Sequence, residues 1–432
     1  MADKSQDAAG LFAGEEGVMK RLVRVLLIGV IVMALSGAGY GQAQVKEYSV
    51  PAFRDFSGPY ADLMKFIMPT IDAVFGWWNE TEGQKLGVKL AIKNHDTRYD
   101  ATVVASLWPG ILADKPFIAA GLGGPDVAAL QQRLPQDKVP VCYSTAAYGF
   151  GWLPNQWIFQ PRPTYSHEQI AALTWFIEQN PNKRPVKVAT LTTQASPAYL
   201  DIVNGTKKYI EEVLEPKGLA KVVAQQWIDI QPVDVSAQLK AIIDARADII
   251  FGMGNTAMAG ALMRAQQLHG VNIPTVAAPH HTIWPLSVAM KTFQPWEGHF
   301  DVGAVVSSTE KEGKAYEFFK TLEKKYGLKE DLHWSPFGML GFTQGIFMAR
   351  AVEHAARKVG GANLTGQAVY DAFFEKPLTE DELMGILPTL HFTREAPFST
   401  KDLKVKIATV KNGKYQPAAP GWVPVPPDIK KW

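Results

Sequence analysis

Apolar and polar positions along this chain alternate between short strand-like runs and longer helical patterns. Tyr48–Phe53 reads as an extended run that breaks at Ser57-Gly58-Pro59 and passes into a helical pattern over Tyr60–Phe75. The rhythm then repeats. A strand is predicted over Val88–Lys93 and ends at Asn94-His95-Asp96, with a helix over Asp100–Leu112. Next come a strand at Phe117–Ala120, the loop Gly121-Leu122-Gly123-Gly124-Pro125, a helix at Val127–Leu134 and a strand at Val139–Tyr143. An irregular aromatic stretch, Ala147–Pro163, separates this block from a second one. That block reads helix His167–Gln179, strand Lys187–Thr192, helix Ala198–Leu214, strand Val222–Ile228 and helix Ser236–Ala245. Strand Asp248–Gly252, helix Ala257–His269 and strand Thr275–Ala278 continue it. Helices at Gly313–Tyr326, Phe337–Val359 and Gly366–Phe374 precede a hairpin at Leu403–Thr409 and Tyr415. Strands alternating with helices predict an α/β protein with parallel sheets covered by helices, whose ligands sit off the strands' carboxyl ends.

The first residues follow a different pattern. Lys20, Arg21 and Arg24 precede an apolar run, Val25–Leu35, and the small residues of Gly41-Gln42-Ala43 satisfy a cleavage rule. A run of about a dozen apolar residues is short of the ~20 needed to span a bilayer. Residues 1–43 therefore read as a leader with a cleaved signal peptide, with Met19 the expected start, and the mature chain is expected in the periplasm. Its formal charge stays at +2, which gives no nucleic-acid footprint. The roughly 390 residues beyond the leader exceed what one hydrophobic core serves, so two domains are expected. The single cysteine, Cys142, lies in an apolar run and is expected to be a buried, inert thiol.

Several segments, taken in order and spacing, resemble the branched-chain amino-acid type of periplasmic solute-binding proteins that feed ABC importers. They are Asp55–Ala61, Asp96 followed by Asp100, Gly121–Pro125, Val139–Ala147, the turn Phe251–Gly254, and Arg264–Gly270 before Ile273-Pro274. The resemblance covers about Tyr48–Tyr415. It implies two lobes, each a mostly parallel sheet flanked by helices, joined by a three-segment hinge, with solute enclosed between them. Lobe 1 would take residues 44–163 plus 308–386 and lobe 2 residues 164–307 plus 387–418. An irregular tail, 419–432, would follow.

A carboxylate enclosed between lobes needs several hydrogen bonds, which strand-end amides and short hydroxyls supply without bulk. Gly123 and Gly124, and then Ser144, Thr145, Ala146 and Ala147, stand after predicted strands where they could do so; alternatively they only turn the chain and cap a helix. By the resemblance, these two loops would hold the carboxylate and amine of an amino acid. Gly124 falls where a binding serine is usual, Thr145 where a backbone contact is made, and Ala147 where a binding threonine is usual. Lobe 2 departs from the pattern. Pro279-His280-His281 stands where an acidic partner for an ammonium is expected, Tyr199 lies past a usual tyrosine position, Leu63 replaces another, and Asn255 falls at a polar contact. His280 reads as a hydrogen-bonding pocket residue or as a structural loop residue. Neighbours on an extended segment point to opposite sides, so no metal site is expected from the two histidines. The aromatics Phe150, Trp152 and Trp157 could cover the cleft or fill the interface.

The chain carries no G-x-S-x-G, H-E-x-x-H, P-loop or dinucleotide fingerprint, so no catalytic residue and no cofactor is expected. The resemblance thus implies a monomer that binds a small carboxylate-bearing ligand and delivers it to ABC permease and ATPase subunits. The lost acidic residue tips the expected ligand from a branched-chain amino acid toward an aromatic or apolar acid or amide. A soluble two-lobed sensor signalling to a membrane receptor is the alternative.

Overall fold

The computed structural model describes residues 45–143, 157–195, 197–396 and 398–432. Two sheets organise them. The first contains β1 (Lys46–Arg54), β2 (Val88–Asp96), β3 (Ala119–Gly121), β4 (Val141–Tyr143) and β5 (Ile158–Phe159). All its pairs are parallel, in the order β2-β1-β3-β4-β5. The second contains β6 (Val186–Thr192), β7 (Ala220–Trp227), β8 (Ile249–Gly252), β9 (Thr275–Ala277), β10 (Phe300–Gly303), β11 (Lys404–Lys411) and β12 (Lys414–Pro417). Its order is β7-β6-β8-β9-β10-β11-β12; the pairs from β7 to β10 are parallel, and β11 and β12 join antiparallel. A two-residue strand, β13 (Val423–Pro424), adds to β11.

The five parallel strands of each sheet follow the same order, so the chain repeats a topology that its residues do not repeat. In both sheets the order reverses beside the first strand, between β1 and β3 and between β6 and β8. At such a switch point the crossover helices leave to opposite faces, opening a crevice past the strands' carboxyl ends.

The longer helices are α1 (Met64–Trp78), α2 (Ala101–Ala113), α3 (Gly124–Leu130), α4 (Tyr165–Gln179), α5 (Pro197–Tyr209) and α6 (Ser236–Asp244), then α7 (Thr256–His269), α8 (Ile283–Met290), α9 (Lys314–Tyr326), α10 (Pro336–Val359) and α11 (Gly366–Glu375). Ile67, Ile71, Val74 and Trp78 recur at helical spacing and are buried, which fixes the face α1 turns to the core. It packs along α10, where Thr70 Oγ1 donates to Gly338 O at 3.1 Å. Asp100 starts α2 by accepting from the amides of Thr102 and Val103 at 2.7 and 3.0 Å. Cys142 is buried in the first sheet, and burial raises its thiol pKa well above the usual value. The chain passes between the lobes after β5, after β10 and before β11.

Three elements escape the periodicity. β5 is two residues inside the aromatic stretch, β10 carries Asp301 in a run of four, and α8 holds Pro285 near its start. None is long enough for a repeating pattern to register. Residues 419–432, expected to be irregular, are anchored: beyond β13, the Val425 amide donates to Leu403 O at 2.8 Å and Val425 joins the second sheet's core.

Candidate functional site

Both switch points open into the same crevice. From lobe 1, the turn after β1 is set by Asp55, which accepts from the amides of Gly58 at 2.5 Å and Tyr60 at 2.7 Å. This presents the Tyr60 ring against Tyr99, 4.5 Å between centroids and edge to face. The ends of β3 and β4 are held from below by Gln344 of α10, whose amide donates to Gly121 O and Cys142 O, both at 2.7 Å.

Gly123 and Gly124 lie at the start of α3. The amides of Leu122 and Gly123 turn inward to Asp126 Oδ2 at 2.6 and 3.0 Å, so they serve the loop itself. The missing side chain of Gly123 makes room for Tyr99: a Cβ there would lie 2.6 Å from the Tyr99 hydroxyl. Ser144, Thr145, Ala146 and Ala147 lie outside the described residues, as do Phe150 and Trp152.

Lobe 2 offers a matching wall. Tyr199, in the first turn of α5, lies on the backbone at Gly254, the residue two past Gly252 just as Gly123 is two past Gly121. Its hydroxyl approaches that of Tyr60 across the crevice. Burial raises both phenols, so they stay protonated. Tyr165, the first residue of α4, shares a hydrogen bond of 3.0 Å with His280 Nε2. His281 lies beside both tyrosines, 5.4 Å from Tyr165 and 6.4 Å from Tyr199 between centroids.

The two histidines do not diverge as an extended segment would require. They sit in a turn, so their rings lie 4.1 Å apart and both face Tyr165. Burial holds His280 well below the usual imidazole value, with His281 and Arg162 adding to it. Burial and Arg162 bring His281 down to about 3. Both are therefore neutral at physiological pH.

Asn255 caps α7: its Oδ1 accepts from Met258 N and its Nδ2 donates to Ile230 O, each at 2.9 Å. Trp157 stacks on Tyr370 at 4.0 Å in the lobe 1 core, buried away from the crevice. The reading that placed it over the cleft gives way to core packing.

Beneath the histidines the crevice narrows to a cavity of about 20 Å³ lined by Arg162, His280, Asp301, Val306, Met339 and Tyr415, room for a single water. Arg162 and Glu168, at most 2 % exposed, form a two-pronged pair at 2.9 and 2.7 Å. Glu168 Oε1 also accepts from Ala304 N at 2.9 Å, tying the first inter-lobe crossing to the second. At the rim, Trp284 of lobe 2 packs edge-on between Phe66 and Phe337 of lobe 1, at 5.9 and 5.6 Å. The lobes are thus in contact on both sides of the crevice.

Asp301 accepts hydrogen bonds from Thr282 Oγ1 and from the Tyr415 hydroxyl, and burial pushes it up to about 7. Between its ordinary value and about 7 the folded state holds a proton that the unfolded state releases, so this group's contribution to stability falls as pH rises through that window. Asp301→Asn is expected to gain stability relative to the parent as pH rises from about 4 to about 8. Urea unfolding of both proteins across that range tests it, and a pH-independent difference would sink the assignment.

The sequence model of the periplasmic binding protein family matches residues 47–413. The chain belongs to that family. A Thermus thermophilus branched-chain amino-acid ABC transporter protein with bound valine shares 17% identity at a TM-score of 0.69, over 88% of this chain and 96% of that one. A Rhodopseudomonas palustris HaA2 solute-binding protein in complex with p-hydroxybenzoic acid shares 18% identity at a TM-score of 0.69, over 89% and 98%. A fatty acid ABC transporter substrate-binding protein from Thermomonospora curvata shares 19% at 0.68, over 88% and 92%. These likenesses carry the two-lobed fold. No curated protein matches the chain. Among the described residues no helix is long and apolar enough to cross a membrane.

Proposed function

We propose that this periplasmic binding protein is exported by the Met19–Ala43 leader and delivers an aromatic or other apolar carboxylic acid, or a related amide, to an ABC importer. The observation that carries the ligand class is the crevice wall. Tyr60, Tyr99, Tyr165, Tyr199, His280 and His281 surround it with rings and neutral donors. The neighbouring carboxylates are committed elsewhere: Asp55 to two amides, Glu168 to Arg162 and Ala304, Asp301 to Thr282 and Tyr415. An ammonium enclosed here would be desolvated without a counter-charge among the described residues, which costs several kcal/mol. A carboxylate can instead accept from tyrosine hydroxyls and neutral imidazole, while its apolar body lies on the rings. The R. palustris protein, with p-hydroxybenzoic acid in the same fold, gives the reading a precedent in kind.

Lobe 1 would take the ligand first and lobe 2 would add contacts as the lobes close, shifting the population toward the form a permease reads. A micromolar affinity, about −8 kcal/mol, is within reach of a few such hydrogen bonds plus ring burial. The test is a calorimetric competition between leucine, 4-methylpentanoate (leucine without its amine) and 4-hydroxybenzoate. The acids are expected to bind at least tenfold more tightly than leucine. Leucine winning by tenfold would return the protein to the amino-acid binders.

A further inference from the structure

Residues 423–432 run over the outer surface of lobe 2 and end behind the crevice. β13 fixes their start, and the Tyr209 hydroxyl donates to Asp428 Oδ1 at 2.9 Å midway. At the far end the Trp432 indole donates to Asp201 Oδ1 at 2.6 Å. Its ring lies 5.5 Å from His167, centroid to centroid, and Cε2 is 2.6 Å from where a Cβ at Gly205 would stand. His167 belongs to α4, and Asp201 and Gly205 to α5, so one side chain touches both helices.

The two helices are joined at that point. Ser166 Oγ, next to His167, donates to Asp201 O at 3.0 Å and Ile202 O at 3.2 Å. Thr164 starts α4, its hydroxyl 2.7 Å from His167 Nδ1. On the opposite side of this joint, Tyr165, Ile202 and Ala278 form a small apolar cluster against which Tyr199 packs. The crevice tyrosines are thus two residues away from the groups Trp432 holds, Tyr165 before His167 and Tyr199 before Asp201.

We propose that residues 423–432 are a latch, with Trp432 a positioning residue that sets the first turns of α4 and α5 and through them Tyr165 and Tyr199. Ordering ten residues costs conformational entropy, and the apolar packing of Val425 with the three anchors at Val423–Pro424, Asp428 and Trp432 offsets it. A ring braced against two helix starts removes the rotation that would let one tyrosine move relative to the other. The inference rests on the reading of these tyrosines as the ligand-facing wall.

The experiment compares the full chain with Trp432→Ala, Trp432→Phe and Tyr209→Phe by amide hydrogen exchange and by the 15N resonance of His280 Nε2, with no ligand added. Trp432→Ala is expected to speed exchange at least tenfold over 165–169 and 199–203, and to move the His280 resonance as its bond to Tyr165 loosens. Trp432→Phe, which keeps ring packing and loses the Asp201 bond, should fall between. Tyr209→Phe frees the latch midway and should change those segments less than twofold. A merely structural role would speed exchange by one common factor across the second sheet, leave the His280 resonance in place, and overturn the proposal; so would unchanged exchange at both helix starts. Titration with 4-hydroxybenzoate is run alongside. If leucine wins the competition by tenfold, the ligand reading fails, while the exchange data, taken with no ligand present, still judge the latch.

Discussion

Arg162→Met is expected to destabilise the protein by about 3–5 kcal/mol, among the largest losses any single side chain here could cause. The side chain it removes is one half of a pair in which both partners are nearly inaccessible to water. Burial raises Glu168 above the usual carboxylate value, and Arg162 and the Ala304 amide oppose that rise. Without Arg162, Glu168 must either remain charged and unpaired or take up a proton, and both are costly. The double change Arg162→Met with Glu168→Gln removes both charges and is expected to recover most of the loss, since a buried pair often adds little beyond what apolar groups of similar volume supply. Urea midpoints for the parent, both single variants and the double variant form a cycle whose coupling term isolates the pair. A loss below about 1 kcal/mol for Arg162→Met would mean that solvent screens this crossing, as it does an exposed pair. The pair also bears on motion. Because Glu168 joins two of the crossings, its loss should loosen the hinge as well as the fold.

Most of the scaffold was legible from the sequence because long helices and half-buried strands carry their period in plain view. The strand-like runs at Tyr48, Val88, Lys187 and Val222 and the helical patterns at Ala257 and Phe337 appear where periodicity places them, within a few residues. The repeated strand order was not legible, since it lies in pairing between distant segments that share no residues. At the site, the glycine-ended strand before α3 and the His280 loop could be seen as turns after strands. Tyr60, Tyr99 and Tyr165 could not. Each is a single aromatic at a loop or helix start, and only the closing of two sheets brings them together. Arg162 and Glu168 were hidden for a different reason: charged residues six apart read as a solvated connection, and nothing local marks them as buried. Gln344 sits in the middle of a helix 223 residues from the strand end it supports. Its role is visible only once α10 lies under the first sheet.

Gly254→Ala is expected to weaken ligand binding by tenfold to a hundredfold with little loss of backbone integrity. A Cβ built at Gly254 lies 2.5 Å from Tyr199 Cγ and closer still to Cδ1 and Cε1, so the methyl and the ring cannot occupy their present positions together. The nearest atoms run along one whole edge of the ring, from Cγ through Cδ1 to Cε1, so the ring has to shift to relieve the overlap. Tyr199 must swing away, and with it goes the hydroxyl that meets Tyr60 across the crevice. Overpacking of this kind typically costs about 1–3 kcal/mol, here expressed as a misplaced wall instead of a failed core. The strain is steric alone, because Gly254 is not among the glycines with positive φ. In a Tyr199→Ala background the overlap disappears, and the same Gly254→Ala change is expected to cost nothing further. Titrating the tightest acid from the competition experiment against all four proteins measures that coupling. Equal penalties in both backgrounds would show that Gly254 acts through the chain's own backbone, and would remove Tyr199 from the wall.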